Sequence, residues 1–186
     1  MAVMAPGDEN ECARLLQTAY EHPGPAMVRY PRGAGPGVAV DERIDPLPFG
    51  RGEIRREGQR VALLVFGSLL ETAMQAAEKL DATLANMRFI KPLDESLVLD
   101  LANRHSLIVT IEENSVAGGA GSAVNEYLNW EGHGVRVLNL GLPDNYQHHA
   151  SHEEQLSEAG LDLEGLLKSV NRATREAALQ IVDDAS

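Results

Sequence analysis

Two arginines, Arg29 and Arg32, are the residues of this sequence best suited to bind a small anion. They lie where a short apolar run ends and a segment rich in proline and glycine begins. Pro31 between them stiffens the chain, and Gly33 permits a sharp turn directly afterwards. A guanidinium on a stiffened loop presents several donors in a fixed plane, which suits a phosphate or a carboxylate better than a flexible lysine does. The alternative is a structural role, in which either arginine pairs with a nearby carboxylate of this acidic chain.

The elements that must position these arginines form a short β-α-β unit. Residues 1–6 are expected to form a buried strand, and residues 26–29 a second strand. Between them, Asp8 as N-cap and Glu11 three positions later have the spacing of a capping box, which predicts the start of a helix. A single unit of this kind cannot cover both faces of a sheet, so residues 1–33 are expected to be the last part of a larger domain.

The rest of the chain predicts a second α/β domain over residues 51–186, joined by a linker. Residues 34–50 lack periodicity and are rich in glycine and proline, as is typical of an interdomain connection. Further strands and helices then alternate: a hairpin of strands over 52–56 and 60–66, strands over 83–87, 107–111 and 135–140, helices that begin near 67, 92, 118 and 151, and a final helix with an apolar stripe from Leu163 to Ile181. This alternation predicts a three-layer, doubly wound, mostly parallel sheet, with the first hairpin strand as an antiparallel edge.

The composition argues against several classes of partner. With 16 Lys and Arg against 28 Asp and Glu, the net charge is −12, which disfavours nucleic acids and anionic membrane surfaces as main partners. Apolar residues make up 44% of the chain, enough for a substantial core. The single cysteine, Cys12, rules out an intrachain disulfide and fits a reducing cytoplasm. We expect it to be a packed, unreactive thiol.

A glycine-rich loop and a pair of glutamates are two further candidates for chemistry. The loop Gly118–Ser122 precedes a helix, whose N-terminus is able to cradle a phosphate. Val124 stands where a dinucleotide motif needs a small residue, and Glu112 and Glu113 would repel phosphate, so close packing is favoured. These two glutamates are adjacent at a strand end and point to opposite sides, which favours structural roles over a general acid-base pair.

Three histidines raise the question of a metal site. His148 and His152 are four positions apart, the spacing of two ligands on one helix face, and His149 lies between them. The capping box of Ser151 and Glu154 places His148 before the helix begins, which breaks that geometry. We therefore expect no metal ligands here.

The remaining notable side chains favour structural roles. Arg88 and Lys91 flank a strand end and are expected to pair with nearby carboxylates rather than with a bound anion. Tyr127, Trp130 and Tyr146 are scarce aromatics in this chain and are expected to be packing or interface anchors.

Several segments together resemble the C-terminal part of the 1-deoxy-D-xylulose-5-phosphate synthases, thiamine-diphosphate enzymes of the transketolase superfamily. The matching segments are Pro6–Glu11, Val28–Gly33, Met87–Asp94, Glu112–Asn114 with Gly118–Ser122, and Leu138–Asp144. They occur in the order of that family, and the resemblance runs from residue 1 to about residue 170.

The resemblance implies a domain organisation and an activity. It implies that residues 1–33 are the last βαβ of a pyrimidine-binding domain, 34–50 a linker, and 51–186 a transketolase C-terminal domain. The implied reaction condenses pyruvate, with decarboxylation, and D-glyceraldehyde 3-phosphate to 1-deoxy-D-xylulose 5-phosphate, for isoprenoid and thiamine biosynthesis. The implied cofactors are thiamine diphosphate and Mg²⁺, and the implied enzyme is a cytoplasmic homodimer.

The resemblance also suggests which residues of this chain act. In that family an arginine of the Arg-Tyr-Pro-Arg-Gly segment holds the phosphate of the acceptor, and here we favour Arg32, with Arg29 second. The metal motif of the superfamily is absent, since the only Gly-Asp, at Gly7-Asp8, continues with Glu9. We therefore expect no catalytic, cofactor-binding or metal-binding residue in this fragment. Alone it is predicted to be inactive, with the N-terminal remainder of the enzyme as its partner.

Two other functions stay open at this point. The chain is also compatible with the C-terminal domain of another superfamily enzyme, such as a transketolase or the β subunit of a 2-oxoacid dehydrogenase. A non-catalytic assembly or regulatory domain, with a nucleotide site at Gly118–Ser122, is the third possibility. A proteolytic remnant, a cloned fragment and one polypeptide of a split enzyme are all compatible with this sequence.

Overall fold

Residues 1–183 form a small sheet of three strands and a large sheet of five, with six helices. The computed structural model describes residues 1–183, with side chains up to residue 176. The strands are β1 (Ala2–Met4), β2 (Ala26–Val28), β3 (Glu53–Arg56), β4 (Val61–Phe66), β5 (Thr83–Asn86), β6 (Phe89–Lys91), β7 (Leu107–Ser115) and β8 (Arg136–Leu142). The helices are α1 (Glu9–Glu21), α2 (Leu70–Leu80), α3 (Glu95–Arg104), α4 (Ala120–Trp130), α5 (His152–Glu158) and α6 (Leu163–Asp183). The side chains of Ala177 and Ile181, part of the apolar stripe predicted for the last helix, lie outside the described residues.

The large sheet has the predicted doubly wound form. Its strand order is β3-β5-β4-β7-β8, and all neighbours are parallel except β3, which pairs antiparallel with β5 at the edge. Every residue of β4 is buried, because a central parallel strand is covered on both faces. Leu63 packs in a core with α2 and α6, whereas its neighbour Leu64 packs on the opposite face with α3 and α4. These two cores make the three layers, so the predicted fold class is confirmed.

The predicted hairpin of the first two strands of this sheet is wrong, although the antiparallel edge is confirmed. Strand β5 lies between β3 and β4, so these two strands never pair. The turn between them packs instead against the start of β5: the Gly58 N–H donates to Thr83 Oγ1 at 3.0 Å, and the Gln59 N–H to the carbonyl of Asp81 at 2.7 Å. Arg56 adds a hydrogen bond to the carbonyl of Ala82 at 2.7 Å. These contacts carry the chain across the end of β5.

The small sheet contains the predicted β-α-β unit. β1 and β2 pair in parallel and α1 connects them. The predicted N-cap is confirmed, since the Glu11 N–H donates to Asp8 Oδ1 at 2.8 Å. Leu15 on α1 is fully buried, whereas Leu16 beside it is half exposed. The third strand, β6, comes from the unit that follows the linker and pairs antiparallel with β1, which the sequence pattern did not predict.

Residues 34–50, predicted as a linker, contain no helix or strand and run along α1. The Glu9 carboxylate accepts hydrogen bonds from the backbone N–H groups of Gly37 and Val38, at 2.8 and 3.2 Å. Further along, the Leu47 N–H donates to Thr18 Oγ1 at 2.8 Å, and the Leu47 side chain is buried in the core of the small sheet. The segment is therefore held at both ends against the first unit.

Asp94 joins the end of this segment to α3. Its carboxylate caps α3 through the Leu97 N–H at 3.2 Å, accepts the Gly52 N–H at 3.0 Å and pairs with Arg51 at 3.2 Å. Burial by itself raises the pKa of Asp94. Hydrogen bonds from Ser96, Gly52 and Leu97, together with the charge of Arg51, outweigh burial and lower the pKa below its ordinary value.

Asp94→Asn is expected to lower the free energy of unfolding at pH 7 by about 1–2 kcal/mol, since it removes charge-assisted hydrogen bonds. A carboxyl with a depressed folded-state pKa stabilises the protein above its unfolded-state pKa of about 3.9, and this stabilisation is lost as the pH falls through the folded-state value. The difference from wild type should therefore shrink below about pH 4 in urea titrations. Asp100→Asn, an exposed carboxyl of the same helix, is the control and should cost under about 0.5 kcal/mol. A difference that stays constant down to about pH 3 would contradict this account.

Candidate functional site

The loop of the two candidate arginines begins, at Arg29, beside the carboxyl ends of β4 and β7. From β4 the chain moves to β5 on one side, and β7 lies on the other, so this is the point where the strand order reverses. Open α/β sheets bind ligands in the crevice at such a point. A cavity of about 250 Å³ lies here, lined by Ala5, Arg29, Tyr30, Pro31, Phe66, Gly67, Ser68, Glu113 and Asn114.

The structure places the two arginines differently. Arg29 directly follows β2, is partly buried and lines the cavity, and its N–H donates to the carbonyl of Met4 at 2.8 Å. Arg32 is exposed and lies outside the cavity lining. Within residues 1–176 neither guanidinium pairs with a carboxylate, whereas seven other arginines do: Arg43, Arg51, Arg55, Arg56, Arg88, Arg104 and Arg136. In the described part of the chain, the two candidates therefore do not fill the alternative role of ion-pair partners.

A second cavity, of about 360 Å³, adjoins the first and shares Ser68 and Glu113 with it. Ser68 Oγ donates to Glu113 Oε2 at 2.6 Å, and His152 Nε2 lies 2.7 Å from Glu113 Oε1. These two contacts fix the Glu113 carboxylate between the cavities. The local sequence does not indicate this trio, because its members lie far apart in the chain, on the loop after β4, on β7 and at the start of α5.

A glutamate side chain of this protein occupies the anion-binding position at the glycine-rich loop. Glu112 is almost completely buried, and its carboxylate accepts the N–H groups of Ala120 and Gly121, both at 2.9 Å. The N-terminus of α4 thus already holds a carboxylate, where a phosphate would have to bind. A Cβ at Gly121 would collide with the side chains of Asn139 and Thr110. Close packing is therefore the role of this loop, and Glu112 and Glu113 point apart as expected.

Arg88 meets carboxylates as expected, and Lys91 does not. Arg88 Nε lies 2.6 Å from Glu11 Oε1, and its guanidinium also pairs with Glu53. Lys91 is exposed, with no ion pair to any described residue, so its predicted pairing is wrong.

The second half of the capping box expected at α1 is absent. Glu11 accepts the N–H of Gly7 at 2.7 Å rather than that of its N-cap, Asp8.

The histidines and aromatic residues lie at the surface for the most part. The described side chains, of residues 1–176, include no group of three His, Cys, Asp or Glu able to hold a metal ion. Tyr127 packs against the core, but Trp130 and Tyr146 are exposed, so a packing role within this chain is wrong for those two. Burial, and after it the charge of Asp8, raises the pKa of the Cys12 thiol, in line with an unreactive cysteine.

None of the helices described over residues 1–183 is long and apolar enough to cross a membrane.

Comparison with known proteins finds relatives along most of this chain. Residues 50–166 match the family model described as the C-terminal domain of transketolase. The chain is 59% identical over 170 residues to the 1-deoxy-D-xylulose-5-phosphate synthase of Thioalkalivibrio sulfidiphilus (strain HL-EbGR7), a match that covers 91% of this chain and 27% of that protein. It is 53% identical over 172 residues to the synthase of the same name from Cellvibrio japonicus (strain Ueda107), which covers 92% of this chain and 27% of that protein. The chain thus spans about a quarter of the length of these curated relatives.

A solved structure resembles the fold closely. It is described as a split gene transketolase in an inactive β4 tetramer, and it superposes with a TM-score of 0.82 at 30% identity. The match covers 93% of this chain and 57% of that chain.

Proposed function

Because the chain belongs to the transketolase C-terminal domain family, with relatives at 53–59% identity that are 1-deoxy-D-xylulose-5-phosphate synthases, we propose that it is the C-terminal part of such a synthase. The proposed reaction joins the two-carbon unit left by decarboxylation of pyruvate to D-glyceraldehyde 3-phosphate, which gives 1-deoxy-D-xylulose 5-phosphate. We assign residues 1–33 to the end of the pyrimidine-binding domain, 34–50 to a linker and 51–186 to the C-terminal domain. The parallel pairing of β1 with β2, the irregular backbone of 34–50 and the family match from residue 50 support this division.

The proposed role of this part of the enzyme is to hold the phosphate of the acceptor. The observation that carries it is the position of Arg29 in the lining of the cavity at the reversal of strand order, with Arg32 exposed three residues further on and neither guanidinium paired with a carboxylate of the described chain. A dianionic phosphate is the natural counter-charge for such groups. We favour Arg32, which is exposed and therefore accessible to a bound acceptor, and assign Arg29 the second position.

An arginine in this place contributes to rate by orienting the acceptor. When the phosphate is fixed at one end of a three-carbon aldehyde, the carbonyl at the other end is restricted to a small range of positions and directions. Pro31 and the hydrogen bond from Arg29 to Met4 limit the movement of the loop itself. The described residues therefore bind and position the acceptor without taking part in bond formation.

Thiamine diphosphate and Mg²⁺ are proposed to bind in the remainder of the enzyme, where they supply the decarboxylation chemistry. The described residues do not fit these groups, since they offer no metal-binding cluster and Glu112 fills the N-terminus of α4. The N-terminal remainder is the proposed partner, with a cytoplasmic homodimer as the proposed form of the enzyme.

The proposal is tested by an activity assay of the full-length protein that carries this chain. With pyruvate, D-glyceraldehyde 3-phosphate, thiamine diphosphate and Mg²⁺, it should form 1-deoxy-D-xylulose 5-phosphate, and this chain alone should form none. A full-length protein that instead transfers two-carbon units from ketose phosphates would favour the transketolase alternative. A full-length protein with neither activity would favour the assembly or regulatory role.

A further inference from the structure

Two of the segments that carry the family resemblance, Pro6–Glu11 and Met87–Asp94, meet in a buried cluster that the proposed function does not use. The ion pair between Glu11 and Arg88 joins them across 77 positions of sequence, with Arg88 Nε 2.6 Å from Glu11 Oε1. Both side chains are at most 10% exposed. The cluster lies at the end of β1, the strand whose last residue, Met4, is hydrogen-bonded to Arg29 of the arginine loop.

Both oxygens of the Glu11 carboxylate accept hydrogen bonds. It accepts the Gly7 N–H at 2.7 Å and the Arg88 Nε–H at 2.6 Å. The Asn86 amide donates to both of its oxygens, at 2.8 and 2.9 Å. A buried charge is tolerated only when it is paired and hydrogen-bonded, so this arrangement is a built feature that requires every one of these groups.

Arg88 is held from both its side chain and its backbone. Its φ of 59° is in the left-handed region, which is unfavourable for a residue with a long side chain and persists only where surrounding contacts enforce it. Those contacts are the ion pairs with Glu11 and with Glu53 of β3. In this conformation the Arg88 carbonyl accepts the N–H of Ala5 at 2.8 Å.

A short path leads from this cluster to the arginine loop. Residues 4–7 are fixed on one side by Arg88, through Ala5, and on the other by Glu11, through Gly7. The Met4 carbonyl, next to Ala5, accepts the N–H of Arg29, the first residue of the loop. The cluster therefore sets the position of the strand end from which the loop departs.

We propose that the Glu11–Arg88 ion pair is a positioning device for the phosphate-binding loop of Arg29 and Arg32. This inference rests on the proposed function, because it needs the loop to bind the acceptor phosphate. A merely stabilising ion pair would change the melting temperature without changing which acceptor is preferred. A positioning pair changes the preference for a phosphorylated acceptor, since only the phosphate end is held by the loop.

The test is Arg88→Lys in the full-length enzyme. Lysine keeps the charge but lacks the planar fork that reaches Glu11 and Glu53 together. We expect the KM for D-glyceraldehyde 3-phosphate to rise about tenfold, and the preference in kcat/KM for this acceptor over D-glyceraldehyde to fall about tenfold. The KM for pyruvate should stay within about twofold.

Arg56→Lys is the matched control. Arg56 also bridges two segments, through Asp81 and the carbonyl of Ala82, but at the opposite end of β5. It should leave the acceptor preference within about twofold of wild type even where it lowers the melting temperature. If Arg88→Lys does not fold, Glu53→Gln is tested in its place, since the half-exposed Glu53 is the second ion-pair partner of Arg88. It should lower the preference for the phosphorylated acceptor by about threefold.

The outcomes separate the two proposals. One outcome is that Arg32→Ala lowers the preference for the phosphorylated acceptor, whereas the folded Arg88→Lys variant, or Glu53→Gln in its place, has a normal preference. This outcome overturns the positioning role and leaves the proposed phosphate contact intact. An equal loss with both acceptors also overturns it and leaves the pair as a structural element. A normal preference in both Arg32→Ala and Arg29→Ala overturns the proposed phosphate contact itself, and the positioning role with it.

Discussion

Replacing Arg32 by alanine in the full-length enzyme should raise the KM for D-glyceraldehyde 3-phosphate by about 10- to 100-fold, with the KM for pyruvate within about twofold of wild type. A hydrogen-bonded contact to a charged group contributes about 1.5–3 kcal/mol, and each 1.4 kcal/mol is a factor of ten. The loss should fall on one substrate because pyruvate carries no phosphate. Steady-state kinetics with each substrate varied in turn measures the effect.

Two variants make this result specific. Arg29→Ala, at the second position of the loop, should show the same selectivity with a smaller increase of about 3- to 30-fold. Arg43→Ala removes an exposed arginine of the neighbouring segment that already pairs with Asp45, and should leave both KM values unchanged. An unaltered acceptor KM in both loop variants would remove the loop from the substrate site.

The largest effect on stability is expected from Glu112→Ala, which should lower the free energy of unfolding by about 3–5 kcal/mol. The variant leaves the N–H groups of Ala120 and Gly121 buried without an acceptor, and each such group costs about 1–3 kcal/mol. Urea unfolding monitored by circular dichroism measures the difference from wild type.

Glu113→Ala is the matched control for this variant. Its carboxylate is the next along the strand but is partly exposed and contacts only side chains, Ser68 and His152. It should therefore cost about 1 kcal/mol or less. Equal losses in the two variants would show that the N-terminus of α4 does not depend on Glu112.

Local signals account for what the sequence predicted correctly. Asp8, Asp94 and Ser151 each mark a helix start because an N-cap is defined by residues only three positions apart. The continuous apolar run of β4 identified the central strand, since only a strand covered on both faces tolerates it. The doubly wound fold follows from such local elements and their alternation.

The wrong and missing predictions all concern partners far apart in sequence. The segment Glu57-Gly58-Gln59 has the composition of a hairpin turn. In the structure, however, β5 occupies the edge of β4 with which β3 would have paired in a hairpin. Nothing in the local pattern of residues 89–91 indicates that they pair with β1. Such pairings depend on which surfaces meet after the helices are packed, and no short window of sequence contains that information.

In the candidate site, too, the local sequence indicates some residues and gives no sign of others. Residue type and the neighbouring Pro and Gly were sufficient to single out Arg29 and Arg32. The crevice beside them, with Ser68, Glu113 and His152, exists only because the loop after β4, the end of β7 and the start of α5 converge at the reversal of strand order. Glu11 was assigned to a cap because its true partner, Arg88, is 77 positions away.

The pairing of β6, which follows the linker, with β1, which precedes it, has a consequence for gene architecture. If the polypeptide were divided between residues 33 and 51, β1 and β6 would stay paired only while the two pieces remain associated, and separated pieces would expose an edge of β1. Such an edge recruits strands from other molecules, so separated pieces would tend toward exchange between copies and aggregation. A natural division of the coding sequence is therefore expected to fall outside that interval.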